Sequence, residues 1–493
     1  MYKPYRIFYL YIILIVINFS SCKNDFENYS TNTQDLLTFS IDTLSFDTVL
    51  TTVNSPALSF MVYNKNSKPL LISSVQLAGG ANSNFKINVD GMAGSSFENV
   101  EISAKDSLLV LVNVKPKENG QYTPALFNDY IVFVTNNVQQ KVVLEAFGQD
   151  VYTWKGVILS TDSILDNQKP YLIYDSLVID KNATVYIGEG SVFYMYNNAQ
   201  LIVNGTVKIK GSVDKPVIFR GSRTDNMITI PYDLIPGRWG GIRFGSESYG
   251  NMLENVRIRN GSYGIVLDVS GDPFRSKLSM MNVVVTNVAG TLLQAVNCNI
   301  TAENCEFSNA KDALLNIVGG YSVFTHCTFV NYYPTTINPD LGWGSSKNKT
   351  LILSNVVLNW DGKGNDYYPV IKAGFYNSII WGKNYTSDSG ISMEKSPNVD
   401  FSYLFQNCLL PNQGTNDDHF VNCLFQVDPL FQKTDLINPL TGDWYPSFDF
   451  RLKENSPARD VANPGTASQI PYDLNGFFRL TDEKPDLGAY EYH

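Results

Sequence analysis

One short phrase, written eight times between Asn255 and Phe425, constrains this chain more than any other feature. It is Asn or His, a small residue, a variable residue, then a larger apolar one. The copies are Asn255-Val256-Arg257-Ile258, Asn282-Val283-Val284-Val285, Asn304-Cys305-Glu306-Phe307, His326-Cys327-Thr328-Phe329, Asn355-Val356-Val357-Leu358, Asn377-Ser378-Ile379-Ile380, Asn407-Cys408-Leu409-Leu410 and Asn422-Cys423-Leu424-Phe425. Successive first residues lie 27, 22, 22, 29, 22, 30 and 15 apart. A recurring spacing in the low twenties is the mark of a solenoid whose coils stack on one another. Parallel coils stack about 4.8 Å apart, so a residue repeated once per coil sits on its own copies.

Within the phrase, the small and large residues are two apart and point the same way, into the coil. They predict one inward column of Val256, Val283, Cys305, Cys327, Val356, Ser378, Cys408 and Cys423. A second runs through Ile258, Val285, Phe307, Phe329, Leu358, Ile380, Leu410 and Phe425. The leading Asn reads as a corner, because Asn tolerates left-handed backbone angles and stacked amides hydrogen-bond to each other. His326 then stands in for Asn at one corner. A second Asn series, Asn260, Asn287, Asn309 and Asn331, follows five residues later. The variable position faces out, and its last three copies, Ile379, Leu409 and Leu424, are apolar. An exposed apolar column needs a cover. The segments Leu341 to Lys349 and Lys383 to Asp400 are the expected cover.

At 493 residues the chain exceeds one ordinary core, so several units are expected. Short runs rich in Val, Ile, Thr, Tyr and Phe, broken by Gly, Asn and Asp-Gly turns, mark an all-β protein. The formal charge of -10 and the lack of a basic stripe argue against nucleic acid as a partner. Of six cysteines, five follow Cys22, and four of those fall in the inward column. Free buried thiols are expected there. No CxxC pair or Cys/His cluster offers metal-ligand spacing, and neither a metal nor another cofactor is expected.

The N-terminus reads as an address. Lys3 and Arg6 precede an apolar run from Ile7 to Phe19, which is too short to span a bilayer and suits a signal-peptide core. Ser20-Ser21-Cys22 follows at once. This resembles a bacterial lipoprotein signal, which implies lipidation of Cys22 and a mature chain that starts there. Phe19 departs from the usual Leu-like residue. Asp25 and Glu27 resemble the acidic export signal of Bacteroidetes-type surface lipoproteins, which implies outer-membrane anchoring on the cell surface. Residues 1–21 are then the signal peptide and 22–35 a polar tether.

Residues 36–150 carry about seven short alternating runs, among them Leu58 to Tyr63, Leu70 to Ile72, Leu108 to Val112, Tyr130 to Val134 and Lys141 to Leu144. That spacing predicts a β-sandwich. Its order of segments resembles immunoglobulin-like modules related to spindle and cilia proteins, which implies a spacer or docking role. From 151 to 430 a parallel β-helix is expected. Its opening strands, such as Thr184 to Ile187, Gln200 to Val203, Thr206 to Ile209 and Pro216 to Phe219, turn at short corners containing Gly188, Gly190, Gly205 and Gly211. Ile187 to Gly190, Leu201 to Thr206, Lys215 to Gly221 and Arg238-Trp239-Gly240-Gly241-Ile242 are similar to the opening rungs of right-handed parallel β-helix lipoproteins of the Bacteroidetes type. In 431–493, the ordered motifs Asp449 to Leu452, Asn455 to Asp460, Asp473 to Gly476 and Pro485 to Tyr492 resemble the choice-of-anchor Q module. The expected role is to cap the solenoid, with the lipid at Cys22 as anchor. Asp460, Asp473 and Asp486 sit at tight turns and are expected to bind backbone.

Function is less legible. The excursion from Ser222 to Gly237 offers Asp225, Tyr232, Asp233 and Arg238 as ligand contacts. Trp239, Trp360, Trp381, Trp444, Tyr332-Tyr333 and Tyr367-Tyr368 are candidate stacking platforms for sugars. These favour a non-catalytic, monomeric surface protein that binds a glycan or another cell-surface or host ligand. A polysaccharide lyase or glycoside hydrolase is the alternative. A hydrolase needs paired carboxylates and a lyase a base beside a charge neutraliser. The one dense cluster is Asp417-Asp418-His419. A structural or adhesive stalk is the third reading.

Overall fold

A computed structural model describes residues 28–227, 230–333, 349–358, 364–383, 390–435, 448–482 and 484–493. Strand is nearly the only regular secondary structure of the described chain, which divides into two compact units, with the break in sequence at Gln149/Asp150 and residues 120–123 belonging to the second unit.

The first unit is a two-sheet β-sandwich. One sheet orders Thr38–Phe39, Leu58–Tyr63, Ser107–Val114, Phe85–Val89 and Met92–Gly94, all antiparallel. The other orders Thr43–Leu50, Val138–Gln149, Ala125–Thr135, Leu70–Leu77 and Ser96–Ile102, and Thr43–Leu50 enters it parallel to its neighbour. Alternation sets the core: Leu108, Val110, Val112 and Val114 are buried while the residues between them face outward. Ser30 already donates its backbone N–H to Pro69 O, inside the stretch expected as tether. The packed unit therefore begins ahead of residue 36.

The second unit is a parallel β-helix. Its strands join one continuous 26-strand ladder in which each coil contributes to three sheets. The first sheet runs through Thr184–Gly188, Thr206–Lys210, Asn299–Glu303, Gly320–Thr325, Val370–Tyr376 and Phe401–Gln406. The second runs through Val192–Met195, Val217–Gly221, Glu306–Ala310, Thr328–Asn331, Ile379–Gly382 and Leu409–Leu410. The third runs through Gln200–Val203, Gly241–Phe244, Ile265–Leu267, Leu293–Val296, Ala313–Val318, Lys349–Ser354 and Gly390–Glu394. The long strands Asn251–Arg259 and Ser276–Val288 bend through a corner and serve both the first and second sheets.

Stacked columns fill the interior. Phe324, Phe375, Phe405 and Phe420 lie ring on ring with centroids 5.0, 4.7 and 5.2 Å apart and planes within 14°. Tyr171, Phe193 and Phe219 repeat the arrangement at 4.8 and 4.6 Å. These spacings equal the rise of a coil, so each added rung buries one more aromatic face. Cys298, Cys305, Cys327, Cys408 and Cys423 are all buried and free.

Seven of the eight phrases stack in register on the second sheet. Their leading residues, Asn255, Asn282, Asn304, His326, Asn377, Asn407 and Asn422, all hold positive φ between 49° and 56°. Asn282 Nδ2 donates to Asn255 Oδ1 at 3.1 Å, and Asn377 Nδ2 meets His326 Nε2 at 2.9 Å. In the second series, Asn309 Nδ2 donates to Asn287 Oδ1 at 3.3 Å.

The eighth phrase is not a rung of this stack. Thr328 pairs directly with Ile379, so the corner above His326 is Asn377, 51 residues on. Val356–Val357 instead pairs antiparallel with Asp366–Tyr367 in a side hairpin, and Leu358 is exposed rather than inward. Asn355 serves a different purpose: its side chain donates to Ser396 O and Val399 O and accepts from Ser396 N. Its fit to the phrase, and one of the three 22-residue spacings, are coincidences of composition.

The C-terminal segment does not sit on the end of the solenoid. It lies along the outer face of the second sheet. Phe431, Phe450, Leu452, Ala458, Ala462 and Leu487 pack on Val330, Ile379 and Leu409, with Trp381, Tyr332 and Leu424 at the margin. The cover expected for the apolar column is thus supplied by this strap. The segments first expected to supply it fall partly, at 341–348 and 384–389, outside the described residues. The strap is also hydrogen-bonded to the corner column: Asn377 pairs both amide atoms with the Asn463 backbone, Asn407 Nδ2 donates to Val461 O, and Asn304 Nδ2 donates to Tyr472 O.

Candidate ligand-binding face

The strap covers the second sheet from Glu306 onward. Its contacts there end where Tyr490 OH donates to Glu306 Oε2 and Ala489 N donates to Thr328 Oγ1. The earlier rungs of the same sheet turn a different set of side chains outward. One outward column continues back from Glu306 through Val284 and Arg257 to Ile218. The neighbouring column holds Tyr194 and Arg220 in register, with Arg259 on the next rung.

Over these rungs folds the excursion that begins at Ser222. Asn260 Nδ2, in the second corner series, donates to Tyr232 O at 2.9 Å and Ile235 O at 3.1 Å. Asn287 Nδ2 donates to Asp233 O at 3.1 Å. Corner amides thus hold the short helical turn Tyr232–Leu234 in place, which aims the Asp233 carboxylate at the sheet. Arg220 reaches it at 2.7 Å and Arg259 at 3.1 Å. Asp225 accepts a bidentate bond from Arg223. Tyr232 is buried, and Arg223 and Arg238 lie 5.6 and 6.0 Å from its ring centroid. Burial lowers the proton affinity of Arg238 and Arg259 and raises that of the Tyr232 hydroxyl. Beside the arginines stand Tyr174 and Tyr196, with centroids 4.7 Å apart, and Tyr194, whose ring lies 5.7 Å from the Arg220 guanidinium.

Four of the residues anticipated from sequence, Asp225, Tyr232, Asp233 and Arg238, therefore lie together. Arg220, Arg257, Arg259, Tyr174, Tyr194 and Tyr196 join them and were missed. The signal was present in the outward positions of strands whose inward positions were read first.

The other candidates lie elsewhere. Trp239 is a core residue: it is fully buried among interior side chains, and its Nε1 donates to Arg259 O at 2.7 Å, so its ring cannot receive a sugar. Trp381 and Tyr332 pack at the strap, with Tyr332 stacked on Phe450 at 5.9 Å. Tyr333 is buried, and Tyr367 is exposed on the side hairpin. Trp360, Trp444 and Cys22 lie outside the described residues. Asp417 Oδ1 accepts the backbone N–H groups of His419 and Phe420, which makes it a turn-former. The His419 ring stacks on Tyr403 at 4.3 Å, and Asp418 is exposed. Asp473 and Asp486 accept backbone N–H groups from Asn475, Phe477, Asp460 and Tyr492, as expected of turn aspartates. Asp460 itself holds a positive φ of 60°. Among the described residues no group of three or more His, Cys, Asp or Glu side chains is placed to hold a metal ion.

No family model matches the chain, and no curated protein matches it in sequence. Among solved structures it is similar over short stretches to a family 123 glycoside hydrolase from Clostridium perfringens, at 12% identity, covering 23% of this chain and 26% of that one, with a TM-score of 0.17. It is also similar to the Vibrio cholerae VesB protease at 11% identity, covering 24% and 33%, and to the ASH / PapD-like domain of human CEP192 at 8% identity, covering 27% and 96%, each with a TM-score of 0.17. The chain spans only about a quarter to a third of the length of the first two.

Proposed function

We propose that this chain is a cell-surface lipoprotein of the Bacteroidetes type that binds a glycan, without cleaving it, on the part of the outer face of its β-helix that the strap leaves free. The observation that carries the reading is the cluster of tyrosines and arginines on consecutive rungs, roofed by an excursion that corner amides hold fixed. Aromatic rings with guanidinium groups alongside offer a sugar both a stacking surface and directional donors. A rigid sheet presents them with little ordering cost on binding. The leader ending at Cys22 supports a lipid anchor. The catalytic alternative draws less support, since Asp417 is committed to backbone amides and the Asp225 and Asp233 carboxylates to arginines.

A polysaccharide panel screened by affinity electrophoresis tests the binding, and reducing-end and unsaturated-product assays on the same samples test for cleavage. Retardation without new ends is expected. New ends from any panel member would replace this reading with the enzymatic one. Protease treatment of intact cells should remove the protein, and a chain left untouched would place it on the periplasmic side.

A further inference from the structure

We infer that the glycan bound on this face is an acidic one, its carboxylate or sulfate groups held by guanidinium groups on successive rungs; this rests on the glycan-binding reading above.

Charge favours an acidic ligand. The whole chain carries -10. Yet Arg220, Arg223, Arg238, Arg257 and Arg259 gather here, with Asp225 paired to Arg223, Asp233 shared by Arg220 and Arg259, and Glu306 near enough to act on Arg257. The like charges feel one another: Arg220 and Arg257 both depress the proton affinity of Arg259, and Arg223 that of Arg238. Guanidinium groups outnumber carboxyl groups on this face, and an arriving anion relieves their mutual repulsion.

Geometry favours it too. Arg220 and Arg259 follow the paired residues Phe219 and Ile258 on adjacent rungs, so their separation is set by the coil rise. Both already grip one carboxylate, that of Asp233, at 2.7 and 3.1 Å. The protein's own side chain thus shows that this pair suits a planar anion, as guanidinium forks do. Arg223 and Arg238 lie over the same Tyr232 ring and extend the cationic surface along the excursion. Tyr196, 37% exposed and in ring contact with Tyr174, supplies the flat apolar surface a sugar ring needs.

The basic face is also short. The basic stretch stops at the strap, where Tyr490 meets Glu306 two residues along the Arg257–Val284–Glu306 column. In the other direction it reaches Tyr194. That is four rungs, or about 14 Å at the coil rise. A site this short suits a few sugar residues. Duplex nucleic acid needs a longer row of phosphate contacts.

The test is affinity electrophoresis and calorimetry on the mature chain with four probes: polygalacturonate for carboxylate, dextran sulfate for sulfate, neutral dextran, and duplex DNA. Binding to one or both acidic glycans, weakening with added salt and lost by about tenfold in Arg220→Gln/Arg259→Gln, is expected. Arg238→Gln, which leaves the Asp233 pairs intact, should weaken it as well should the double variant fold poorly. Arg243→Gln, an exposed residue on the third sheet paired with Asp268, should leave it unchanged. Binding of dextran alone overturns the acidic class but keeps the glycan reading. DNA bound as tightly as the glycans overturns it as mere polyanion attraction. No binding to any glycan overturns both.

Discussion

At the scale of single residues, the corner column separates two demands that one amino acid usually meets together. A corner needs a left-handed backbone, and it needs a side chain that bonds to the corner above or below. Asn meets both at Asn255 and Asn282. His326 does so with a ring, holding φ at 51° while Nε2 takes the Asn377 amide proton. Burial pushes its proton affinity well below that of free histidine, so the ring stays neutral. The sign follows. The unfolded chain protonates near pH 6.5 and the folded one far lower, so stability is lost as pH falls below about 6.5. His326→Asn should fold normally and lose that acid sensitivity. His326→Ala should cost about 2–3 kcal/mol, because it keeps the strained φ and forfeits a buried hydrogen bond. Chemical denaturation between pH 5 and pH 7.5 measures both.

At the scale of elements, the strap is where sequence and structure part. The inward columns were legible because the same interior selects the same small and large residues at every rung. The left-handed corner likewise selects Asn. Those demands are local. Whether Ile379 and Leu409 are covered, and by what, is decided by side chains up to a hundred residues away, so no local pattern carries it. Asn355 misled for the opposite reason: an Asn that ties a loop is the same letter as an Asn that turns a corner. The Arg220–Asp233–Arg259 site was half legible. Its excursion is visible as an interruption, but its rung residues look like ordinary outward positions.

Beneath the strap, Arg479 is fully buried, bonded to Glu491 at 3.0 Å and Asn304 at 2.8 Å. Burial, reinforced by the neighbouring Asp486, raises Glu491 to about 8, and burial raises Asp486 to about 6. Both folded values exceed the unfolded ones, so the protonated acids favour the folded state. Their contribution is complete below about pH 4 and is lost as pH climbs to about 8. The unfolding midpoint should therefore fall from pH 6 to pH 8.5, and Glu491→Gln should flatten that decline. A decline of equal slope in the variant would locate the titrating group elsewhere.

At the scale of the whole molecule, the five thiols report on the solenoid as a unit. Cys298, Cys305, Cys327, Cys408 and Cys423 lie in one continuous core that runs from Leu165 to Cys423. Alkylation of the native protein should leave all five unmodified. In rising denaturant they should become reactive together, since the interior of each coil is closed off by the coils on either side. Mass spectrometry of peptides quenched along the titration reads this directly. Early labelling of Cys408 and Cys423 alone would show that the last rungs open independently.

The strap also fixes how many coils the protein has. It is bonded to the corners Asn304, Asn377 and Asn407 of a single column at fixed positions along its own length, through Tyr472 and Arg479, Asn463, and Val461. Adding or deleting a coil between Asn304 and Asn407 would slide those corners by one rise and break the match along the whole strap. Ahead of Asn304 the excursion gauges its own rungs in the same way, through the corners Asn260 and Asn287. Evolution is held to a set count of coils wherever such a segment spans several corners.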